Sequence, residues 1–372
     1  MVSARVRNAV SIVLLAFVGA VFLVKYAARY VDVYLLLGGL YVGGFASVFL
    51  ALRSVQLERY RLLNGKTFAA TLVVFAAALA VLIIVLPEAS RVGRFIALKE
   101  WIGDLFGGRF PYNASTKPSG LPFLFVLVMP FYLIGNLGYL EVAGLLLFGA
   151  ALMAHRARLA DRWSGLALLL LMPPFWYEVL TRSELFFNMV LVLFLIIVAE
   201  RYVAPHRVDT AFLVLAVSFG LVVSTRTIVT CVYLLYVVFR FRESLRNGIL
   251  FFAVGVAAFA LTLVPFVLWD AQRFIEAGPF RMQFRYAPLW LAGAFAAVSV
   301  WLGWKARNLD DVLFFAGVVP FAIVATPFAA TLVERGFHGT IIEDNFDVAY
   351  FIFALPFLLL SLGGDGKQAS SG

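Results

Sequence analysis

Long apolar stretches separated by short polar ones run along almost the whole chain. Most are close to the roughly 20 residues that a helix needs to cross the hydrocarbon of a bilayer. The alternating pattern of barrel strands is absent from the sequence, so these stretches predict helices. The predicted spans are 8–28, 32–52, 67–86, 139–154, 164–180, 184–199, 209–224, 227–239, 248–268, 288–304, 311–333 and 347–362. The pattern therefore predicts an all-α fold, a polytopic transmembrane helical bundle of about 12 spans.

One further apolar segment, 121–134, is short for a span, and Gly135-Asn136-Leu137-Gly138 separates it from the next helix. If this segment crossed the bilayer, the basic loop at 155–158 would face away from Arg5 and Arg7. If it is re-entrant or interfacial, the basic loops all fall on the side of those two arginines. Because basic loops favour the cytoplasm, we expect the second arrangement, with both termini cytoplasmic in a cell membrane.

The same pattern suggests how the chain is divided. Residues 1–66 form an N-terminal pair of helices, and residues 67–200 form a core that carries a long outer loop at 87–120. Residues 201–363 supply the C-terminal helices, and residues 364–372 are predicted to be a disordered cytoplasmic tail. The long polar loop at 87–120 is the natural place for chemistry, because the rest of the chain is almost all membrane.

Composition excludes a soluble domain and narrows the partners. Hydrophobic residues make up 63% of the chain and charged residues 14%, where a soluble domain has about a quarter charged. We attribute the net charge of +9 to basic cytoplasmic loops that lie beside anionic membrane lipids, and we expect no nucleic-acid partner. Cys231 is the single cysteine, so an intrachain disulfide is excluded. The three histidines are scattered, and we predict no metal site and no cofactor, leaving a divalent-ion requirement open.

The outer loop and the later outer turns hold the candidate site residues. Glu88 follows a predicted span directly, and a carboxylate at the membrane boundary could take a proton as a general base. Release of a phosphate would call for fixed cations, for which the candidates are Arg91, Arg94, Lys117, Arg182 and Arg226. Glu178 and Glu184 lie at helix ends, where a carboxylate usually has a partner or a task, and Arg182 and Arg226 are the predicted partners.

Each of these residues also has a structural interpretation. Glu88 could simply face water at a helix end, and Lys117 could anchor the chain at the interface. Arg182, Glu184 and Arg226 could form an ion pair with no contact to a substrate. The residues Arg91, Arg94, Ile96, Leu98, Trp101, Ile102 and Leu105 together predict an amphipathic helix on the membrane surface.

The order of features in the loop resembles a known family. Glu88 after a span is followed by the amphipathic stretch 91–102, by Phe110-Pro111-Tyr112, and by Lys117-Pro118 before the next apolar segment. This order resembles the first outer loop of the GT-C glycosyltransferases, especially the protein-mannosyltransferase and aminoarabinose-transferase branch, the relatives of glycosyltransferase family 39. The family usually has Asp, often in an Asp-Glu pair, where this chain has Glu88 followed by Ala89.

The resemblance implies a GT-C-like fold and an inverting membrane glycosyltransferase. Its donor would be a polyprenyl-phosphate-linked sugar, and its acceptor would lie at the outer face of the membrane. In this interpretation Glu88 is the general base, and Arg91, Arg94, Lys117, Arg182, Glu184 and Arg226 bind substrate. Two alternatives remain open: a transporter or flippase of a lipid-linked or anionic solute, and a non-catalytic membrane protein with a GT-C fold.

Overall fold

The computed structural model describes residues 3–54, 64–86, 94–284 and 288–363, and this part of the chain is helical, with no strand. The helices are α1 (Ala4–Ala27), α2 (Tyr34–Ser54), α3 (Gly65–Val85), α4 (Arg94–Phe106), α5 (Pro122–Leu133), α6 (Tyr139–His155), α7 (Leu159–Leu170), α8 (Pro173–Thr181), α9 (Leu185–Tyr202), α10 (Thr210–Val223), α11 (Val229–Phe241), α12 (Leu245–Glu276), α13 (Pro279–Gln283), α14 (Leu289–Lys305), α15 (Leu309–Phe337) and α16 (Leu355–Ser361). A 3-10 segment, Val348–Ala354, leads directly into α16. The predicted tail 364–372 lies outside the described residues.

Several helices are long and apolar enough to cross a bilayer. Six helical stretches of the described chain qualify, namely α1, α2, α3, α9 and the two that begin with α12 and α15. A seventh qualifies if α7 and α8, which meet at a bend of 59°, form one span. The prediction of an all-helical polytopic membrane protein is therefore confirmed. The predicted count of about 12 crossings also includes shorter apolar helices, and it stays a prediction.

The two ends of α1 mark the two ends of the bundle. At its start, Arg7 and His155 both bond to Asp310, at 3.5 and 2.8 Å. At its other end, the Lys25 ammonium donates to the carbonyl of Phe346 at 2.9 Å. Arg7 and Lys25 are 18 residues apart on this helix, which separates the two contacts by about 27 Å. We call them the near end and the far end.

Both ends of α5 lie at the far end. The backbone N–H of Leu121, just before α5, donates to the carbonyl of Thr225 at 3.1 Å. Asn136, just after α5, accepts a hydrogen bond from Arg182 at 2.8 Å. Arg182 is two residues from Glu184, whose carboxylate pairs with the residue that follows Thr225. With 12 residues, α5 is only about 18 Å long and does not run the length of the bundle.

The predicted amphipathic helix is present as α4, but its apolar face packs on protein. Leu98, Trp101 and Ile102 are buried in a second core that includes Tyr112 and Phe125. α4 packs against α5 and the 3-10 turn at Pro111–Asn113, and its position on the membrane surface stays a prediction.

Candidate functional site

A chain of alternating charges crosses the far end of the bundle. The carboxylate of Glu184 pairs with Arg226 and lies 3.8 Å from the guanidinium of Arg94. Arg94 in turn reaches Asp347 at 2.6 Å. Glu184 and Arg226 are only 1% and 2% exposed. Burial alone would lower the pKa of Arg94, but the negative charge of Asp347 and its neighbours raises it well above its ordinary value. Arg94 is therefore charged at any working pH.

The turn that carries Glu184 is fixed by its own backbone and by Glu178. Arg182 ends α8 in the left-handed conformation, with a φ of 50°, which turns the chain back towards α9. The carboxylate of Glu178 accepts the N–H groups of Leu185 and Phe186 at 2.9 and 3.1 Å, so it caps the start of α9. A negative charge also suits the positive end of a helix dipole.

Arg182 ties the end of α3 to this turn. Besides Asn136, its guanidinium donates to the carbonyls of Ile83 and Leu86, the latter at 3.3 Å. Leu86 is the last described residue before the stretch that contains Glu88. The predicted outer loop therefore leaves α3 at the same place where Arg182 and Glu184 lie.

Residues 115–121 form a strip that is anchored at both ends. At one end, the carboxylate of Glu100 accepts hydrogen bonds from the N–H groups of Ser115 and Thr116, at 2.8 and 3.2 Å, and from their hydroxyls, at 2.9 and 2.5 Å. Trp101 also donates to the Thr116 hydroxyl at 2.8 Å. The bond from Thr116 is the largest cause that lowers the pKa of Glu100 below its usual value.

The other end of the strip is held by the charged cluster. Arg226 donates to the hydroxyl of Ser119 at 2.8 Å, and the side-chain amide of Gln283 donates to the Ser119 carbonyl at 2.6 Å. The hydroxyl of Tyr112 donates to the carbonyl of Gly120 at 3.0 Å. Gln283 also accepts from the N–H and the hydroxyl of Thr227, both at 2.7 Å. The strip, α13 and the start of α11 are thus fixed to one another.

Lys117 lies between the two anchors. Its φ is 45°, in the left-handed region, and it precedes Pro118, which makes this conformation costly for a residue with a side chain. Its side chain is exposed and makes no ion pair or hydrogen bond within the described residues. The strip therefore carries an exposed positive charge two residues before Ser119, which Arg226 binds.

An apolar cavity of about 410 Å³ begins at Arg226. Arg226, Thr227 and Gln283 provide polar groups, and the rest of the wall is mostly apolar, with side chains such as Phe295 and Phe353 from α14 and the 3-10 segment. The volume falls in the range of small-molecule sites, roughly 300–1,000 Å³. Among the described elements, α12 packs chiefly on α10, and α14 packs on α11 and α15. The side of the cavity between α12 and α14 therefore faces the surface of the bundle.

Three buried side chains near the start of α9 have polar atoms without a hydrogen-bond partner among the described residues. They are both oxygens of Glu141, one oxygen of Glu178, and the amide nitrogen of Asn188, whose oxygen accepts from Thr225 at 2.9 Å. Electrostatic repulsion from Glu178 and Glu184 also acts on Glu141. Unpaired buried polar groups of this kind lower the stability of the folded state.

The structure brings some of the predicted residues together. Arg94, Glu184 and Arg226 form one ion network, with Arg182 adjoining it through the turn and Lys117 on the anchored strip. Glu88 and Arg91 lie outside the described residues. Sequence reasoning missed Glu100 and Gln283, because their partners lie far away along the chain. It also missed Glu141, whose burial without a partner is visible only in the folded chain.

Within the described ranges, no group of three or more His, Cys, Asp or Glu side chains is arranged to hold a metal ion. Comparison of the chain with protein families, with curated proteins and with solved structures finds no match.

Proposed function

We propose that this protein is a GT-C-type membrane glycosyltransferase that moves a sugar from a polyprenyl-phosphate donor to an acceptor at the outer face. In this proposal the short apolar helices also cross the bilayer, which gives about 12 crossings with α5 re-entrant. Both termini then lie in the cytoplasm, and the far end of the bundle faces outward, because the basic loops gather at the near end.

The observation that carries the proposal is the cavity that begins at Arg226. It joins an apolar space, bordered by lipid-facing helices α12 and α14, to a cluster of fixed charges and to the anchored strip. Gly293 on α14 has open space where a side chain would stand. A ligand with a long apolar chain and an anionic head suits this combination, with the chain in the cavity and the head at the strip.

The charges of the cluster divide into two groups. Arg94 and Arg226 are neutralised by Glu184 and Asp347, so their main effect is to hold the site together. Lys117 has no such partner among the described residues, and it can pair with a phosphate without breaking an existing ion pair. Arg226 still borders the cavity, where its guanidinium adds directional donors for phosphate oxygens.

The proposed reaction is a single displacement. The acceptor hydroxyl oxygen bonds to the anomeric carbon of the sugar, while the bond from that carbon to the phosphate oxygen breaks. The electron pair of the broken bond stays on the polyprenyl phosphate, and the hydroxyl proton passes to the carboxylate of Glu88. Attack from the side opposite the leaving phosphate inverts the anomeric centre. Fixed positive charge at Lys117 stabilises the phosphate as it leaves.

The test is transfer of a labelled sugar from a polyprenyl-phosphate donor by the purified protein. Wild type is compared with Glu88→Gln and with Glu276→Gln, a matched change at an exposed glutamate of α12. We expect turnover by wild type and Glu276→Gln, and a loss of at least about 100-fold in Glu88→Gln, as for removal of a general base. Full turnover by Glu88→Gln would remove this residue from the mechanism, and no turnover by wild type with any polyprenyl-phosphate sugar would contradict the function.

A further inference from the structure

Lys117 is held in a conformation that the local sequence disfavours. The left-handed region is unfavourable for a residue with a side chain, and a following proline restricts that residue further. Such a conformation persists only where the surroundings determine it from both sides. On its C-terminal side, Ser119 is bound by Arg226 and Gln283.

On its N-terminal side, the only described group that holds the strip through several bonds is the carboxylate of Glu100. Both of its oxygens accept from the backbone and from the hydroxyls of Ser115 and Thr116. Glu100 belongs to α4, which is fixed by the burial of Leu98 and Trp101 on either side of it. The carboxylate is therefore a clamp on a fixed helix, and it lies 15 and 16 residues before its two partners in the chain.

We propose that Glu100 is a positioning residue, which fixes the strip so that the Lys117 ammonium binds the anionic phosphate of the lipid-linked substrate. The identity of the anion rests on the proposed function. Glu100 itself would not bind this ligand, since both its oxygens are already occupied by the strip and its charge repels phosphate. Glu100 acts on binding through the backbone of the strip. Because the strip is already ordered, Lys117 loses less conformational freedom when it pairs with the phosphate.

Affinity for polyprenyl phosphate, without a sugar, provides the first test. The full-length protein in lipid nanodiscs is compared as wild type, Glu100→Gln, Lys117→Gln and the double variant. We expect each single change to weaken binding about tenfold, as for loss of a charge-assisted hydrogen bond. The double variant should bind no more weakly than Lys117→Gln alone, because both changes remove the same contact. Glu276→Gln serves as the matched control and should bind as wild type does.

Protection of Lys117 from an amine-reactive label gives a second readout. If Glu100 had only a general structural role, its replacement would not change the protection of Lys117 alone. In wild type, polyprenyl phosphate should slow labelling of Lys117 and leave Lys305, an exposed lysine at the near end, unaffected. In Glu100→Gln this protection should be lost. Ser115→Ala removes one bond to Glu100 and keeps the carboxylate, so it should give an intermediate loss even if Glu100→Gln folds poorly.

The outcomes separate this inference from the proposed function. Additive losses in the double variant, or wild-type affinity and protection in Glu100→Gln, would overturn the positioning role even if sugar transfer is observed. Absence of polyprenyl-phosphate binding by wild type would overturn it as well. Non-additive losses with protection at Lys117, in a protein that transfers no sugar, would uphold the positioning role and contradict only the enzyme.

Discussion

Burial of the Arg226–Glu184 pair takes two charges out of water, and the rest of the far end is arranged to compensate for this cost. Arg94 supplies a second positive charge to Glu184, and Ser119 accepts a hydrogen bond from Arg226. The cost of desolvating a buried ion pair is offset only when further charges and hydrogen bonds satisfy both of its members. The pair therefore links α9 to α11 and also orders the strip.

We expect Arg226→Gln and Glu184→Gln each to destabilise the protein by about 3–5 kcal/mol, since each removes one member of a buried ion pair. The double variant should recover part of this loss. Arg109→Gln provides the comparison, because Arg109 is largely exposed in its pair with Asp104, and its loss should cost about 1 kcal/mol or less. Thermal unfolding in detergent measures these differences, and equal effects at the two arginines would contradict the burial argument.

Glu141 is the opposite case, a fully buried carboxylate without a partner in the described structure. Replacing it by an apolar residue of similar size removes an unsatisfied group. Glu141→Leu is therefore expected to stabilise the protein by about 1–3 kcal/mol. Chemical unfolding of wild type and variant measures the difference. A clear loss of stability in Glu141→Leu would mean that the carboxylate has a structural partner and would contradict the interpretation.

The sequence predicts which charged residues belong to the site when they lie in short turns between spans. Arg182, Glu184 and Arg226 lie in two short turns flanked by apolar runs, and that position singles them out. Glu100 and Glu141 carry no such signal. Glu141 looks like an ordinary charge at the start of a helix, and the partners of Glu100 are defined only when the strip folds back onto α4.

At the scale of elements, the clamp between α4 and the strip depends on an ionised carboxylate. The pKa of Glu100 lies below its usual value of 4.5, because the hydroxyl of Thr116 and its neighbours bond to the charged form. Because the pKa of Glu100 is lower in the folded state, the clamp stabilises the strip at pH values above the pKa of the unfolded state. This stabilisation is lost as the pH falls through the pKa of the folded state.

We therefore expect the Ser115 and Thr116 amides to lose protection from hydrogen exchange as the pH is lowered below 4.5, after correction for the intrinsic exchange rate. In Glu100→Gln the protection should be weak at every pH and should no longer change in this range. An unchanged acid transition in Glu100→Gln would show that another group controls the strip.

The sequence anticipates the length of α5 and of α4 but not what their faces contact. A 12-residue apolar helix is visible from its flanking Pro122 and Gly135. The apolar residues of α4 fit either a lipid surface or a protein groove, because an amphipathic pattern does not specify its partner. Only the folded chain brings Tyr112 and Phe125 against them.

At the scale of the whole molecule, the proposed orientation makes a labelling prediction. In a Cys231→Ala background, Asn113→Cys and Ile134→Cys lie on exposed positions before and after α5. Both should react with an impermeant thiol reagent added outside cells, because both ends of α5 lie at the far end. Ala157→Cys, at the near end, should react only after the membrane is opened. Labelling of Ala157→Cys in intact cells would reverse the orientation.

We propose that a polyprenyl-phosphate sugar reaches the cluster through the cavity between α12 and α14. Gly293 and Gly43 are matched sites for testing it, since both are exposed helix positions with open space where a side chain would stand. Gly293 lines the cavity, whereas Gly43 is on α2, away from it.

The most direct measurement is sugar transfer from a polyprenyl-phosphate donor by Gly293→Trp and Gly43→Trp, with the thermal stability of each variant recorded beside its activity. We expect Gly43→Trp to retain wild-type turnover. Gly293→Trp should keep its stability and lose at least about tenfold in kcat/KM, because the indole occupies space that the chain of the donor needs. Equal turnover by the two variants would mean that the donor does not enter through this cavity.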